Sequence, residues 1–407
     1  MASLIDLESI YFRTLEACAP ERLVQRVLRS DFPAAVVAIG KCAGALLDGV
    51  GNFSEAFAAI PEGYPAPHLR MRSTAGTHPR DRHRHARIAR GGHPEITTES
   101  FAAGREMLDF LDGHEDVLFL ISGGGSACVD LPLEPWFNER DLIEVNARLL
   151  AAGLPIGEMN CVRKHVSAIK GGRLAARVRG RSVTLIYSDV SSGALADVAS
   201  GPTLPDPTWK QDAIAILQRV GGCDRIVTRL ADERCPETVK HLANSRVELV
   251  ADNVTLTEAA AEIAADIGCV PVRWEKQIES DVESAAQALA GRARELRERE
   301  VLIAGGEPTV ARRGDGKGGR CSELAVRLAL AAHDLSLTAL FGSSDGLDGN
   351  SGVAAVALTL PVRIDRRAAE NELARSNALA VAQSLGRVIA MVPTGNNLRD
   401  LYLLARS

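Results

Sequence analysis

The chain has 407 residues, of which 46% are hydrophobic, and its 47 Lys and Arg against 52 Asp and Glu leave a formal charge of -5. That apolar fraction excludes a mainly disordered chain, the length allows two ordinary domains, and the slightly acidic balance provides no basic field for nucleic acid. Eight cysteines are scattered without a CxxC pair or a His/Cys ladder at metal-ligand spacing, the pattern of reduced thiols in a cytoplasmic protein. Asp6, Glu8, Arg13 and Glu16 interrupt the N-terminus, so it lacks the apolar core of a signal peptide, and no uncharged apolar window is long enough for a membrane span.

In chain order, Leu4 to Ala17 has helical apolar spacing, and Ala34 to Ile39 is a short buried-strand pattern running into Gly40-Lys41-Cys42-Ala43-Gly44. A lysine at the start of a glycine-flanked helix is a weak anion-site signal. Residues 65–92 are the least regular part of the first half, and five of the nine histidines fall between His68 and His93, interleaved with arginines; with no carboxylate or cysteine partner recurring at fixed spacing, the stretch reads as a solvated basic loop rather than a metal site. Thr97 to Leu111 is a helix leading to the strand Val117 to Ile121, which ends in Ser122-Gly123-Gly124-Gly125-Ser126. Consecutive glycines let main-chain amides approach an anion without a Cβ in the way, so this turn has the outline of a phosphate cradle.

After the helix Glu139 to Ala152 comes the most polar stretch, in which Asn160, Arg163, Lys164, Ser167 and Lys170 can share a helical face. Its cations would repel one another unless an anion compensates them. Ser182 to Tyr187 is a further strand ending in Ser188-Asp189, an acid placed to hold Mg2+ or to cap the next helix. The proline-broken segment Ala199 to Thr208, which includes Ser200, reads as a loop too polar to bury. A domain switch is expected near residue 245. Beyond it lie helix Thr257 to Gly268, strand Val270 to Trp274, helix Val282 to Arg299, and a strand from Glu300 ending in Gly305-Gly306-Glu307. A glycine-rich loop, Arg313 to Arg320, precedes helix Ser322 to Ala332. Strand Thr338 to Phe341 leads to Ser343-Ser344-Asp345, and the chain closes on Pro393 to Asn397 and a short helix.

Several strand-to-glycine junctions bearing Lys, Arg, Ser or Asp would gather at the carboxyl edge of an α/β sheet, an inventory that suits phosphoryl transfer. The segments AIGKCAGAL, GGHPEITTES, ISGGGSACVDLP, GEMNCVRKHVSAIKGGRLA, YSDVSSGALADVASGPT, IAGGEPTV with GKGGRCSE, SSDGLDGNSG and PTGNNLRDLYLL together resemble the glycerate 2-kinase family of the MOFRL type. The resemblance implies a Rossmann-like three-layer N-terminal domain with a mostly parallel sheet (1–245), a smaller α/β MOFRL-like C-terminal domain (246–407), and an active site in the cleft between them. It implies phosphorylation of the 2-hydroxyl of D-glycerate by ATP with Mg2+, in a monomer or homodimer whose partners are a hydroxy acid and a nucleotide.

Carried onto this chain, the resemblance makes Lys41, Arg320 and Asp189 catalytic, and gives the nucleotide Ser122, Gly123, Gly124, Gly125, Ser126, Lys170, Gly305, Gly306 and Glu307. It gives the substrate Asn160, Arg163, Lys164 and Ser200, and names Asp189, Glu307 and Asp345 as metal ligands. Ser191 to Leu195, Ser343-Ser344 and Cys321 depart from the family's pattern. A kinase of another small hydroxy acid, such as a four-carbon aldonate, or a non-catalytic binding homologue is therefore the alternative. The hydroxypyruvate reductase label sometimes used for such sequences is disfavoured, because no GxGxxG follows an early strand.

Overall fold

The computed structural model describes residues 5–51, 53–68, 85–191 and 193–406. Two compact units result, one formed by Pro20–Val250 and the other by Ala251–Ser407 together with the N-terminal segment up to Ala19. The break falls between Val250 and Ala251, and the N-terminal helix groups with the C-terminal unit.

The Pro20–Val250 unit is built on β1 (Ala35–Ile39), β2 (Glu55–Pro61), β3 (His85–Gly91), β4 (Val117–Ser122), β5 (Ser182–Tyr187) and β6 (Ser245–Ala251), in the order β3-β2-β1-β4-β5-β6. The pairs β2/β3, β1/β2, β1/β4 and β4/β5 are parallel. Strands β1, β4 and β5 are buried at every residue, which is why they read as continuous apolar runs rather than alternating ones. Helices Thr98–Asp112, Glu139–Ala151 and Ile156–Val166 contribute to a core containing Val37, Phe57, Phe110, Phe119, Leu149 and Val162. This strand order reverses direction between β1 and β4, and open α/β sheets bind ligands beside that reversal, outside the carboxyl ends of the strands. Most of the expected basic loop lies outside the described residues, and its last part is β3.

The second unit carries β7 (Val270–Arg273), β8 (Glu300–Gly306), β9 (Leu337–Ser343), β10 (Ala355–Leu360), β11 (Gly386–Ile389) and β12 (Asp400–Arg406), in the order β11-β10-β9-β12-β8-β7. Only β7/β8 is a parallel pair; β12 runs antiparallel to both its neighbours, β8 and β9. The short helix expected at the C-terminus is thus a strand in mid-sheet. Its first six residues are buried, and the sheet satisfies backbone groups on both sides. The N-terminal helix Leu7–Ala17 packs on this unit through Tyr11, whose hydroxyl donates to the Ser343 carbonyl at 2.7 Å. The Tyr11 ring lies over Gly342, where an added Cβ would come within 2.4 Å of it. Glycine is therefore required in that strand by close approach rather than by backbone angle.

Candidate active site

In the Pro20–Val250 unit, register places the carboxyl ends of three neighbouring strands side by side, Ile39 beside Ile121 and Ser122 beside Tyr187. The turns that follow therefore share one edge. Ser122 locks the first two together: its hydroxyl donates to the Ile39 carbonyl at 3.2 Å and accepts from the Cys42 amide at 3.0 Å, while the Lys41 amide donates to the Gly123 carbonyl at 2.9 Å. Ser122 is fully buried, so its hydroxyl is committed to the frame. The glycines are filled from outside. A Cβ on Gly123 would fall 1.6 Å from an Asp189 carboxylate oxygen, and one on Gly124, whose φ is +79°, would fall 2.7 Å from Lys41 Cγ. Gly125 is pressed by Ala199 and Ile39. A cation and a carboxylate from separate strands thus lie against consecutive residues of one turn, an arrangement any side chain at 123 would break.

Two residues not singled out from the sequence flank Lys41. Its ammonium sits 5.5 Å from the centre of the Tyr64 ring, and Tyr64 meets His93 edge-on at 6.4 Å. Partial desolvation, then the Lys41 and Arg163 charges, push the His93 imidazole down to about 4, so it is neutral at physiological pH. The GGHP motif was the available signal for His93, but nothing in its spacing connected it to Lys41.

The polar stretch resolves into a frame. The helix ends at Val166, so Ser167 and Lys170 are not on it. Arg163 donates through Nε and Nη2 to Asn146 Oδ1, at 3.0 and 2.6 Å. Lys164, almost wholly buried, pairs with Asp197 at 3.1 Å and Asp206 at 3.3 Å. The Lys170 ammonium pairs with Asp130, which also accepts from Ser167 Oγ at 2.5 Å, and both partners are buried. For Lys164 and Lys170 the compensating anions are therefore carboxylates of the chain itself, while Arg163 is bonded to a neutral amide oxygen. Ser200, Thr203 and Asp206 are buried too, so the segment expected to be too polar to bury is inside except at the exposed Pro205 and Pro207, its acid neutralised by Lys164 and bonded by Thr208 and Thr238. Asp197 holds Lys164 with its side chain. Asn160 is also buried; its amide donates to the Asp197 carbonyl at 3.2 Å and its oxygen accepts from Ser200 Oγ at 2.9 Å.

In the second unit Asp400 is paired with Gly306 on one side and Ser343 on the other, which sets the ends of β8 and β9 and the start of β12 at one edge. Arg320 opens helix Arg320–Ala331, whose first amides are capped by the buried Asp348: Cys321 N and Ser322 N donate to its two oxygens at 2.8 and 2.9 Å. The Arg320 guanidinium lies across fully buried Asp400, with Nε at 2.9 Å and Nη2 at 3.3 Å, and reaches Glu307 through Nη1 at 2.9 Å. Tyr402 donates to the same Asp400 carboxylate at 3.1 Å. Asp400, then Glu307, holds the guanidinium pKa above its ordinary value against burial. Glu307 is shared with Arg399 at 3.6 Å, and Asp345 accepts from Ser343 Oγ at 2.8 Å and Leu347 N at 2.9 Å. The glycine-rich loop before Arg320 is tied down: Gly318 N donates to Asn350 Oδ1 at 2.9 Å and Arg313 N to Ser376 Oγ at 2.9 Å. Among the described residues no three His, Cys, Asp or Glu side chains converge as a metal cage, and no helix is long and apolar enough to cross a membrane.

Residues 6–232 match a domain of unknown function, DUF4147, and residues 300–400 match the MOFRL family. A glycerate 2-kinase of Sulfurisphaera tokodaii is 34% identical over 77% of both chains, and a D-glycerate 2-kinase of Thermotoga maritima is 31% identical over 78% of this chain and 79% of that one. The crystal structure of the Thermotoga maritima glycerate kinase superposes with a TM-score of 0.81, covering 98% of each chain at 27% identity. Likeness of this extent, running through both units, makes the protein a member of the glycerate 2-kinase family.

Proposed function

We propose that this protein transfers the γ-phosphoryl group of ATP to the 2-hydroxyl of D-glycerate, giving 2-phosphoglycerate and ADP. The observation that carries the reading is the placement of Lys41 and Asp189 against consecutive glycines of one turn at the reversal point of the sheet. In the transfer the alcohol oxygen forms a bond to phosphorus, the bond to the β–γ bridging oxygen breaks, and the alcohol proton leaves. Asp189 is the carboxylate that orients the hydroxyl and accepts that proton. Lys41 offsets charge on the phosphoryl oxygens, and the amides of Gly123 to Gly125 approach them with no Cβ in the way. The likeness of GKGGRCSE to the glycerate 2-kinase family is what assigns Arg320, aligned by Asp400 and Glu307, the role of a second cation.

The donor set fits Mg2+ arriving with the nucleotide rather than held in a protein cage, since Mg2+ keeps several waters and needs only one or two carboxylates. Asp189, whose carboxylate lies against Gly123 of the glycine turn, would hold it. When bound, the ion would neutralise charge on the β- and γ-phosphates. Lys164 and Lys170 belong on this reading to the frame, as does Ser122, while Arg163 and Asn160 support the site from behind it.

An ADP-release assay with D-glycerate, L-glycerate and a four-carbon aldonate tests this, with phosphorus NMR of the product and a Lys41→Ala control. Release with D-glycerate, phosphate on the 2-hydroxyl and loss of turnover in the control are expected. Release only with the aldonate, or a fully active Lys41→Ala, refutes the assignment.

A further inference from the structure

The hydroxyl of Ser126 stands at the end of a chain of hydrogen bonds whose direction can be read from its far end. The Asp197 main-chain carbonyl can only accept, so the Asn160 group facing it at 3.2 Å is the NH2. Asn160 Oδ1 therefore faces Ser200, and Ser200 gives it its single hydroxyl proton at 2.9 Å. Ser200 then has no proton left for Ser126, whose Oγ lies 2.8 Å away, so Ser126 is the donor in that contact. The proton of Ser126 points inward and its lone pairs point out.

The backbone is shaped to hold this chain. Ala199 and Ser200 lie at φ +51° and +60°, in the left-handed region that non-glycine residues seldom occupy, and Asn160 and Ser200 are wholly buried. Ser126 itself is half-buried, on the turn that carries Lys41 and Asp189 at Gly124 and Gly123. Every link is neutral, in contrast to the ion pairs that fix Lys164 and Lys170 nearby in sequence.

We infer that Ser126 Oγ accepts a hydrogen bond from the substrate hydroxyl that does not react, and that Asn160, acting through Ser200, is the positioning residue that keeps it an acceptor. Phosphate oxygens offer no proton at neutral pH, so an oxygen held this way is no part of a phosphate cradle. A neutral hydroxyl oxygen is also too weak a base for the reacting alcohol, a task that the Asp189 carboxylate suits. What remains is a donor that keeps its proton, and of those the proposed reaction offers (the ribose hydroxyls, the adenine amine and the second hydroxyl of glycerate) the glycerate hydroxyl is the one next to the reacting oxygen, which this turn faces through Lys41 and Asp189. The inference rests on the kinase reading and adds to it the basis on which a dihydroxy acid is told from a monohydroxy acid.

Calorimetric titration of the whole protein, saturated with a non-hydrolysable ATP analogue, tests it with D-glycerate and with D-lactate, which lacks the second hydroxyl. The wild type is expected to bind D-glycerate about tenfold or more tightly over D-lactate. Ser126→Ala should bring the ratio close to one by weakening D-glycerate alone, and Ser200→Ala, which frees the Ser126 proton to rotate, should give an intermediate ratio. Affinity for the nucleotide analogue should be unchanged in both. An unchanged ratio in Ser126→Ala, parallel weakening of both acids, or a loss confined to nucleotide affinity overturns the inference. If the wild type turns over no D-glycerate the kinase reading itself falls, whereas normal turnover with unaltered discrimination removes only the role of Ser126.

Discussion

Replacing Asp400 by Asn separates what holds Arg320 from what Arg320 does. The change is nearly isosteric, and it removes the charge from a carboxylate that accepts Arg320 Nε at 2.9 Å, Arg320 Nη2 at 3.3 Å and Tyr402 Oη at 3.1 Å. Breaking a buried ion pair by removing one partner costs about 3–5 kcal/mol. Arg320 keeps Glu307 at 2.9 Å and its side chain is 30% exposed, so water and Glu307 recover part of that. A loss of about 2–3 kcal/mol is expected, which for a unit of this size lowers Tm by about 5–10 °C. With Glu307 and a single neutral amide oxygen to hold it, the guanidinium can pivot, and on the proposed role of Arg320 a displacement of about 1 Å costs on the order of a hundredfold in kcat. Calorimetry and ADP-release kinetics at saturating substrates measure the two effects. Tyr402→Phe is the companion variant: it removes one hydrogen bond to the same carboxylate, about 1 kcal/mol, and should leave kcat near wild type. If Asp400→Asn keeps wild-type kcat, or if Tyr402→Phe loses as much turnover, the positioning argument is refuted.

Gly123→Ala should cost about 1–3 kcal/mol and most of the activity, because its Cβ would occupy the place of the Asp189 carboxylate; wild-type turnover with an unchanged Tm would show that Asp189 can move without consequence. Lys170→Met should destabilise by about 3–5 kcal/mol while leaving the KM for ATP unchanged, since it strands Asp130 in the interior, and a selective rise in that KM would return Lys170 to the nucleotide site. Despite the cost of burial, amide donors from Lys210 and Thr238 hold the Glu237 carboxyl down at about 2, against an ordinary 4.5. Its contribution, on the order of 2 kcal/mol, is thus present above pH 4.5 and lost as pH falls toward 2. Urea unfolding across that range should show a flatter profile for Glu237→Gln, and parallel profiles would contradict the assignment.

Strands β1, β4 and β5 and the turns after them were legible in the amino-acid sequence, because fully buried parallel strands are short apolar runs and the turns that end them require glycine locally. Lys41, the triple glycine and Asp189 stand out in that pattern as anion- or metal-site signals, whereas Arg320, at the end of a glycine-rich loop, was assigned only by the resemblance. The chain pattern did not contain their partners. Lys164 finds its carboxylates at Asp197 and Asp206, Lys170 finds Asp130, and Arg320 finds Asp400, each brought together by the fold rather than by helical spacing. Asp400 to Arg406 is a strand only because β8 and β9 lie on either side of it to take its hydrogen bonds, and the N-terminal helix belongs with that sheet because Gly342 leaves room for the Tyr11 ring. What the sequence by itself determined was where chain direction and backbone freedom demand particular residues. Which charges face a ligand and which merely hold the frame was decided only by tertiary structure, since burial and long-range pairing, not residue type, set where a lysine's charge goes.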